Sequence, residues 1–358
     1  RCSPKKTMEI CQKLYESGKI TYMRTDSRTY SKEFIEKTKT FIKDKWGEDY
    51  IHEDADSLSE RKENKKKKKK KEEENKAQEA HEAIRPTDIN LIELDDNFDV
   101  KEKKMYKLIW RNTCESCMSE AKYTAFTSKI TAPMESEYRY SCEQIVFPGW
   151  KIVNGYQEEN EIYSYLKNVK NENELDYNKI TSKISIKDSK SHFTEAKLVQ
   201  LLEEKGIGRP STFSSLVEKI QTRGYVKKDN VTGKKIQCTD YELIEDEISE
   251  ETIYKEFGNE KGKLVIQPLG LLVIEFLIKN FDELFIYAYT KNMENNLDLI
   301  ANGNYIWHNL CKECNDNIEL IIDNSNFNKQ RIVIDDEHEY LVAKYGPVIK
   351  KKDSEGNI

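Results

Sequence analysis

The sequence lacks the features that mark membrane-spanning proteins, nucleotide-driven enzymes and histidine-based metal proteins. Its 358 residues contain no run of about 18 apolar residues, so we expect no transmembrane helix and no membrane partner. No GxxxxGK[ST] segment occurs, so no ATP site is expected. The five histidines are scattered, which excludes a histidine-rich metal cluster. What remains is a polar chain, 35% charged and 37% hydrophobic, long enough for two or three domains.

Cysteine is present but not in a pattern typical of zinc. The eight cysteines include two CxxC pairs, Cys114/Cys117 and Cys311/Cys314. Each pair lies in a helical pattern without the turn residues of a zinc knuckle, so we predict structural cysteines and no zinc. Cysteines that show no pairing pattern favour a reducing compartment, and we expect a cytoplasmic or nucleoid protein, with a nuclear or viral setting left open.

Charge is distributed unevenly along the chain. The net charge is −6, yet residues 1–28 carry seven basic and three acidic side chains. Residues 239–260 carry nine acidic side chains against Lys255 alone. Because the local field decides phosphate binding, the net charge neither supports nor excludes a nucleic-acid partner.

The first third of the chain alternates helical and extended patterns. Residues 5–17 predict a helix that Gly18 ends, residues 19–23 a short strand, and residues 31–45 a second helix. The first helix would present four side chains on one face: Met8, Cys11, Leu14 and Tyr15. The second would present another four: Phe34, Ile35, Phe41 and Ile42. Residues 52–76, which include the lysine run Lys65–Lys71, predict a disordered insertion, because like charges repel and apolar residues are few.

Later segments change period and then return to helices. Residues 77–88 predict a helix that ends before Pro86. Between residues 123 and 190, three stretches with period two predict strands: KYTAFTSKIT, YRYSCEQIVF and KITSKISIK. Residues 193–226 read as helix, Gly-containing turn, second helix and strand, which indicates a winged helix-turn-helix. A plain helical hairpin is the alternative, but it leaves the Gly, Arg, Pro, Ser and Thr residues at the turn unexplained.

The segment ITYMRTDS, residues 20–27, carries residue types suited to phosphodiester chemistry. A tyrosine hydroxyl can attack a phosphodiester, and an arginine can bind the phosphate through two donors. Residues two apart in an extended segment face the same side, so Tyr22 and Arg24 could reach one phosphate. On spacing alone, an ordinary strand end with an exposed Tyr and Arg explains the segment as well, because an unassisted tyrosine is a poor nucleophile.

Three segments together resemble the type IA DNA topoisomerases. They are Lys19–Ser27, AQEAHEAIRPTD (residues 77–88), and Phe193–Val226; the likeness extends over about residues 1–325. Within that family, methionine at position 23 resembles the bacterial topoisomerase I branch more than the topoisomerase III branch. The resemblance implies that Tyr22 is the nucleophile, that Arg24 supports the scissile phosphate, and that His81 lies near it. It also implies a set of DNA-binding residues: Thr25, Asp26, Glu82, Arg85, Arg209, Ser211, Thr212 and Arg223.

From this resemblance we expect an α+β multidomain chain, with winged-helix-like domains joined by a β-rich arm, as part of the toroidal core of the family. The expected domains are a catalytic-tyrosine domain, a β-rich arm, a helix-turn-helix domain and the start of a small C-terminal β repeat, at residues 1–122, 123–192, 193–325 and 326–358. The expected function is ATP-independent relaxation of negatively supercoiled DNA through a 5′-phosphotyrosyl intermediate. The expected partner is single-stranded or underwound DNA, bound by a monomer.

The resemblance also implies an N-terminal Toprim domain that binds Mg²⁺ through a DxDxE cluster, and no such cluster is found. Asp95–Asp96 and Asp335–Asp336 have the wrong spacing. The chain begins at Arg1 inside a helical pattern, so we expect a fragment that is inactive alone.

Three alternative functions stay open. The first is a non-catalytic helix-turn-helix module that binds single-stranded DNA. The second is a relaxase-type nuclease, for which the histidine pattern is unsuited, and the third is a charged interaction protein without chemistry.

Overall fold

A computed structural model describes residues 2–59, 82–156, 159–170, 174–324, 332–343 and 346–351. The chain divides into two compact units. The first unit contains Arg1–Val199, Arg209–Thr222 and Lys228–Val265. The second contains Gln200–Gly208, Arg223–Lys227 and Ile266–Ile358. Both combine helices and antiparallel strands, so the α+β expectation is confirmed at that level.

Three helices of the first unit begin at well-formed caps. Helix α1 covers Pro4–Glu16 after Ser3, whose hydroxyl accepts from the Lys6 N–H, and proline stands at its first position. Helix α2 covers Lys32–Trp46 after the N-cap Ser31. Helix α3 covers Val100–Ser116, with Asp99 and Glu102 in a reciprocal capping box. The first two differ from the predicted helices by one residue at each end.

These helices enclose the main hydrophobic core. Its fully buried members include Leu14, Ile20, Ile42 and Tyr106. The Tyr106 hydroxyl donates to the Leu91 carbonyl at 2.6 Å, and burial raises its pKa to about 12. Ile20 and Met23 belong to the same core, so the segment that contains Tyr22 is anchored on both sides.

Two expectations for the segments beside Tyr22 are wrong. Residues 19–23 form no regular strand; a single antiparallel bridge joins Ile20 to Pro86. Of the expected helix over residues 77–88, residues 77–81 lie outside the described residues, and residues 82–88 are not helical, because they supply the other side of that bridge. The prediction treated Pro86 as the end of a helix, whereas the proline is fully buried as part of an extended segment.

The β-rich region forms one hairpin rather than three equivalent strands. Strand β1, Lys122–Ala132, pairs with β2, Ser136–Phe147. A 3₁₀ segment, Gly149–Asn154, and helix α4, Glu161–Asn168, follow. The third expected strand shrinks to β3, Ile180–Ser182, which pairs with a later strand instead of this hairpin. The sequence period alone did not reveal which strands pair.

The helix-turn-helix pattern has the expected element order. Helix α5 covers Glu195–Lys205 and helix α6 covers Phe213–Thr222. Four strands follow: β4 Val226–Val231, β5 Lys234–Ile244, β6 Glu247–Phe257 and β7 Glu260–Ile266. In the described part of the chain, β4 pairs with β7, and β3, β5 and β6 form a separate antiparallel sheet in that order.

The second unit is mainly helical. It contains α7 Pro268–Phe285, which is interrupted at Phe281, α8 Tyr287–Ala301 and α9 Trp307–Asn324. Three short strands form an antiparallel sheet with β9 in the middle: β8 Ile332–Val333, β9 His338–Ala343 and β10 Gly346–Lys351. Across the described residues, the helices are too short or too polar to cross a membrane.

Candidate functional site

Tyr22 lies on an irregular segment whose position is determined by its neighbours. Gly18 takes a left-handed conformation with φ of 66° after α1, and the Lys19 N–H donates to the Leu14 carbonyl at 2.9 Å. Ile20 and Met23 are 1% and 3% exposed, while Tyr22 is half-buried and Arg24 exposed. The buried anchors hold the backbone and leave part of the tyrosine accessible.

Tyr15 contacts the Tyr22 ring directly. The two rings meet edge to face, with centroids 5.2 Å apart and planes at 67°. Tyr15 was expected on the apolar face of the first helix, but its side chain is 41% exposed and packs beside Tyr22 rather than in the core. Its position one residue before the end of α1 gave no sequence signal for this contact.

Residues 82–87 clamp the Tyr22 segment from the other side. The Thr21 N–H donates to the Arg85 carbonyl at 2.9 Å, and the Thr87 N–H donates to the Lys19 carbonyl at 3.1 Å. The Thr21 hydroxyl adds two bonds, accepting from the Arg85 N–H at 2.9 Å and donating to the Ala83 carbonyl at 2.8 Å. The Thr87 hydroxyl makes a further link by donating to the Gly18 carbonyl at 2.7 Å, so both threonines join the two segments, a role that residue type and spacing did not predict.

The Arg85 side chain is held inside the protein. Its guanidinium carbon lies 4.0 Å from the centroid of the Phe34 ring, and Nε is 2.6 Å from a Glu82 carboxylate oxygen. Burial acts to raise the pKa of Glu82, but the hydrogen bond and charge of Arg85, together with hydrogen bonds from Ser31, outweigh it and hold that pKa below its ordinary value. Contact of either residue with DNA stays a prediction; the structure gives both an internal partner.

The residues after Tyr22 are more open. The Arg24 guanidinium has no hydrogen-bond or ion-pair partner among the residues that the structure describes. The Thr25 hydroxyl accepts from the Ser27 N–H at 3.0 Å, and Asp26 is exposed. A cationic side chain next to a half-buried tyrosine can bind an anion without first breaking an internal pair.

His81 and the lysine run Lys65–Lys71 lie outside the described residues. The expected disordered insertion, residues 52–76, begins instead with an ordered 3₁₀ segment, Ala55–Ser59. Its Leu58 carbonyl accepts from the Tyr30 N–H at 2.9 Å, and Asp56 pairs with Lys39. These tertiary contacts keep a polar stretch ordered where composition alone predicted a loop.

The turn before α6 is built around Thr212. Its hydroxyl accepts from the Arg209 N–H at 2.9 Å, and the Arg209 carbonyl accepts from the N–H groups of Thr212 and Phe213. Ser211 and Thr212 are exposed and Arg209 is half-buried. Arg209, Ser211 and Thr212 belong to the first unit, whereas exposed Arg223 belongs to the second.

An ion pair joins the helix that precedes Tyr22 to the helix that follows Arg209. The Lys5 ammonium lies 2.7 Å from a Glu218 oxygen, and this bond raises the pKa of Lys5. Both side chains are substantially exposed, so the pair contributes little to stability. Helices α1 and α6 lie against each other within the first unit.

The structure offers no metal centre in the part it describes. No group of three or more His, Cys, Asp or Glu residues there could hold an ion. Cys114 and Cys117 are buried in the core, and burial raises their thiol pKa values to about 12 and about 11. The described residues therefore do not fit a Mg²⁺ site.

Replacing Thr21 by valine should loosen the clamp. Valine keeps the shape but leaves the Ala83 carbonyl and the Arg85 N–H without their hydroxyl partner, and we expect about 1–3 kcal/mol less unfolding free energy. Urea denaturation followed by circular dichroism measures this loss. Thr25→Val, which removes one local bond, is the matched control. Equal stability of the two variants would contradict the clamp.

Comparison with known proteins gives one family. A family model described as DNA topoisomerase matches residues 1–245. DNA topoisomerase 1 of Escherichia coli is 33% identical over 85% of this chain and 30% of the relative. The prokaryotic-type DNA topoisomerase 1 of Acanthamoeba polyphaga mimivirus is 33% identical over 97% of this chain and 43% of the relative. Full-length topoisomerase I from Thermotoga maritima shares the fold, with a TM-score of 0.61, 23% identity, and coverage of 99% of this chain and 53% of that one. The chain thus spans less than half the length of these curated relatives.

Proposed function

Because the chain belongs to the type IA DNA topoisomerase family, we propose that it carries the nucleophile and part of the DNA path of an enzyme that relaxes negatively supercoiled DNA without ATP. The observation that carries the proposal is the setting of Tyr22, anchored by two buried neighbours and followed by an exposed arginine with no partner among the described residues.

In the proposed reaction, the Tyr22 oxygen attacks a phosphorus of single-stranded DNA and loses its proton. The bond from phosphorus to the 3′ oxygen breaks, that oxygen takes up a proton, and the 5′-phosphate stays on the tyrosine. Arg24 stabilises the charge that develops on the phosphate oxygens. His81 would orient the same phosphate. Attack by the 3′-hydroxyl reverses the exchange after another strand has passed, so no net bond energy is consumed.

In this proposal, residues other than those described here bind the metal ion. The described residues offer no ligand set for it, so we propose that Mg²⁺ is bound by a Toprim domain outside this chain. The chain's own contribution is then to hold the nucleophile and the DNA strand, and no step above depends on an ion held by these residues.

Finer structural assignments belong to the same proposal. Residues 123–192 would form the arm of the family's ring, and α5, α6 and β4 would form a winged helix-turn-helix along the bound strand. We further propose a monomer that acts in the cytoplasm or nucleoid. The matching element order of these segments supports the assignments.

A covalent-adduct assay tests the function. The chain is fused to the N-terminal portion of a relative that supplies the Toprim domain, incubated with labelled single-stranded DNA and Mg²⁺, and denatured. Labelled protein supports the proposal. DNA binding without any adduct would support the alternative, a non-catalytic module that binds single-stranded DNA.

DNA binding by the chain alone should be weak and salt-dependent. Each phosphate contact should contribute about −0.7 to the slope of log K against log salt for single strands. Arg209→Ala combined with Arg223→Ala should weaken binding and flatten that slope, because two cationic contacts are lost. Fluorescence anisotropy of a labelled oligonucleotide at several salt concentrations measures both effects. Deletion of Lys65–Lys71 is the comparison; a larger loss from the deletion would assign DNA contact to the lysine run instead.

A further inference from the structure

The hairpin formed by β5 and β6 lies between two paired strands and has no role in the proposed chemistry. Strand β4 ends at Val231 and its partner β7 begins at Glu260, and the hairpin occupies the residues between them. β5 and β6 pair over eleven consecutive positions, from Lys234 with Phe257 to Ile244 with Glu247. This is a long, regular ribbon whose outer strand is open to a partner.

β6 is an edge strand in the described part of the first unit. The sheet order is β3, β5, β6, so no described strand pairs with the outer side of β6. Each edge strand presents N–H and C=O groups that can pair with another extended chain. One face of β6 is exposed along its length, and its two apolar members, Ile248 and Tyr254, are 72% and 70% exposed. A strand added at this edge would place its own side chains beside these two on the same face of the sheet.

The charges on β6 determine which chain can be added. The strand carries Glu247, Glu250, Glu251 and Glu256, and no ion pair within the described residues involves any of them. Its one basic residue, Lys255, already pairs with Asp240 of β5. The exposed strand is therefore acidic along nearly its whole length.

Three classes of partner can be compared on this basis. A second copy of β6 would place carboxylates opposite carboxylates, which is destabilising. Nucleic acid would be repelled, because its phosphates carry the same sign of charge. A Lys/Arg-rich extended segment would neutralise the glutamates and complete the backbone pairing.

We propose that the outer edge of β6 is a docking site for a basic, extended segment of another protein, which binds by adding a strand to the sheet. Backbone hydrogen bonds along β6 supply part of the affinity. Glu250 and Glu251 select for positive charge, and Ile248 and Tyr254 provide apolar contact on the exposed face. This inference does not depend on the proposed topoisomerase chemistry.

The test uses the 358-residue chain and a fluorescein-labelled octapeptide of alternating lysine and valine. Anisotropy should show saturable binding. The same peptide with alternate backbone nitrogens methylated should bind at least about tenfold more weakly, because it cannot complete the ladder. This comparison needs no protein variant, so a folding defect cannot confuse it.

Paired charge reversals locate the site. Glu250→Lys with Glu251→Lys should weaken binding by at least about tenfold, whereas Glu245→Lys with Asp246→Lys, at the hairpin turn, changes net charge equally and should weaken it by less than about threefold. Equal losses in the two variants would show that only the general field attracts the peptide. Equal affinity for the methylated peptide would overturn strand addition. Dimerisation of the chain that Ile248→Lys abolishes would assign the edge to a second copy instead.

Discussion

Tyr22→Phe should reduce covalent attachment to DNA to background, a loss of about 10⁴-fold or more in the cleavage rate. Phenylalanine removes only the hydroxyl. The ring contact with Tyr15 and the buried anchors Ile20 and Met23 should persist, so the fold and the DNA affinity should change little. The assay uses the Toprim fusion and an oligonucleotide labelled at its 3′ end, because the fragment that carries the 5′-phosphate keeps that label on the protein.

Tyr15→Phe is the matched control for this experiment. Tyr15 lies against the Tyr22 ring and is more exposed. Its hydroxyl is therefore the neighbouring group most easily mistaken for the nucleophile. Its variant should form the adduct at a rate close to that of the unmodified fusion. An adduct that persists in Tyr22→Phe and disappears in Tyr15→Phe would transfer the chemistry to Tyr15.

Arg24→Ala should slow cleavage by about 10²–10³-fold, because it removes a cationic donor from the developing phosphate charge. Arg24→Lys keeps the charge but loses the two-pronged donor geometry, so its rate should lie between those of alanine and arginine. Single-turnover adduct formation at saturating oligonucleotide measures the effect separately from binding. Because Arg24 is exposed and has no partner among the described residues, neither variant should lower stability by more than about 0.5 kcal/mol.

Arg28→Ala provides the comparison for Arg24. Arg28 is also exposed and lies four residues further along the same segment, so its loss removes a second positive charge near Tyr22. We expect a small loss of DNA affinity and a nearly normal cleavage rate. If the two alanine variants slow cleavage equally, Arg24 acts only through the general field and not on the scissile phosphate.

Helix limits were the part of the fold most accessible to the sequence. The limits of α1 and α2 follow from local chemistry: Ser3 and Ser31 cap their N-termini, and Gly18 and Gly47 follow their C-termini. The order of α5, α6 and β4 was predictable for the same reason, since the turn residues between these elements act locally. In each case the determining interactions lie within a few residues of one another.

Contacts between distant segments were not accessible in this way. The expected helix near Pro86 failed because residues 82–87 pair with residues 19–21, more than sixty positions earlier. The expected third strand failed because β3 pairs with β5 and not with the neighbouring hairpin. A period of two indicates an extended segment, but it carries no information about the partner strand.

The sequence by itself determined the residues with chemical capacity, Tyr22 and Arg24, together with the family to which their segment belongs, because residue type and spacing are written in the chain. Only the tertiary structure decided how that segment is held. The Thr21 hydroxyl joins it to residues 83 and 85, Arg85 is committed to Glu82 and Phe34, and Tyr15 packs on the Tyr22 ring. The physical reason is that hydrogen bonds, ion pairs and ring contacts form between groups that folding brings close, and closeness in space is independent of closeness in sequence.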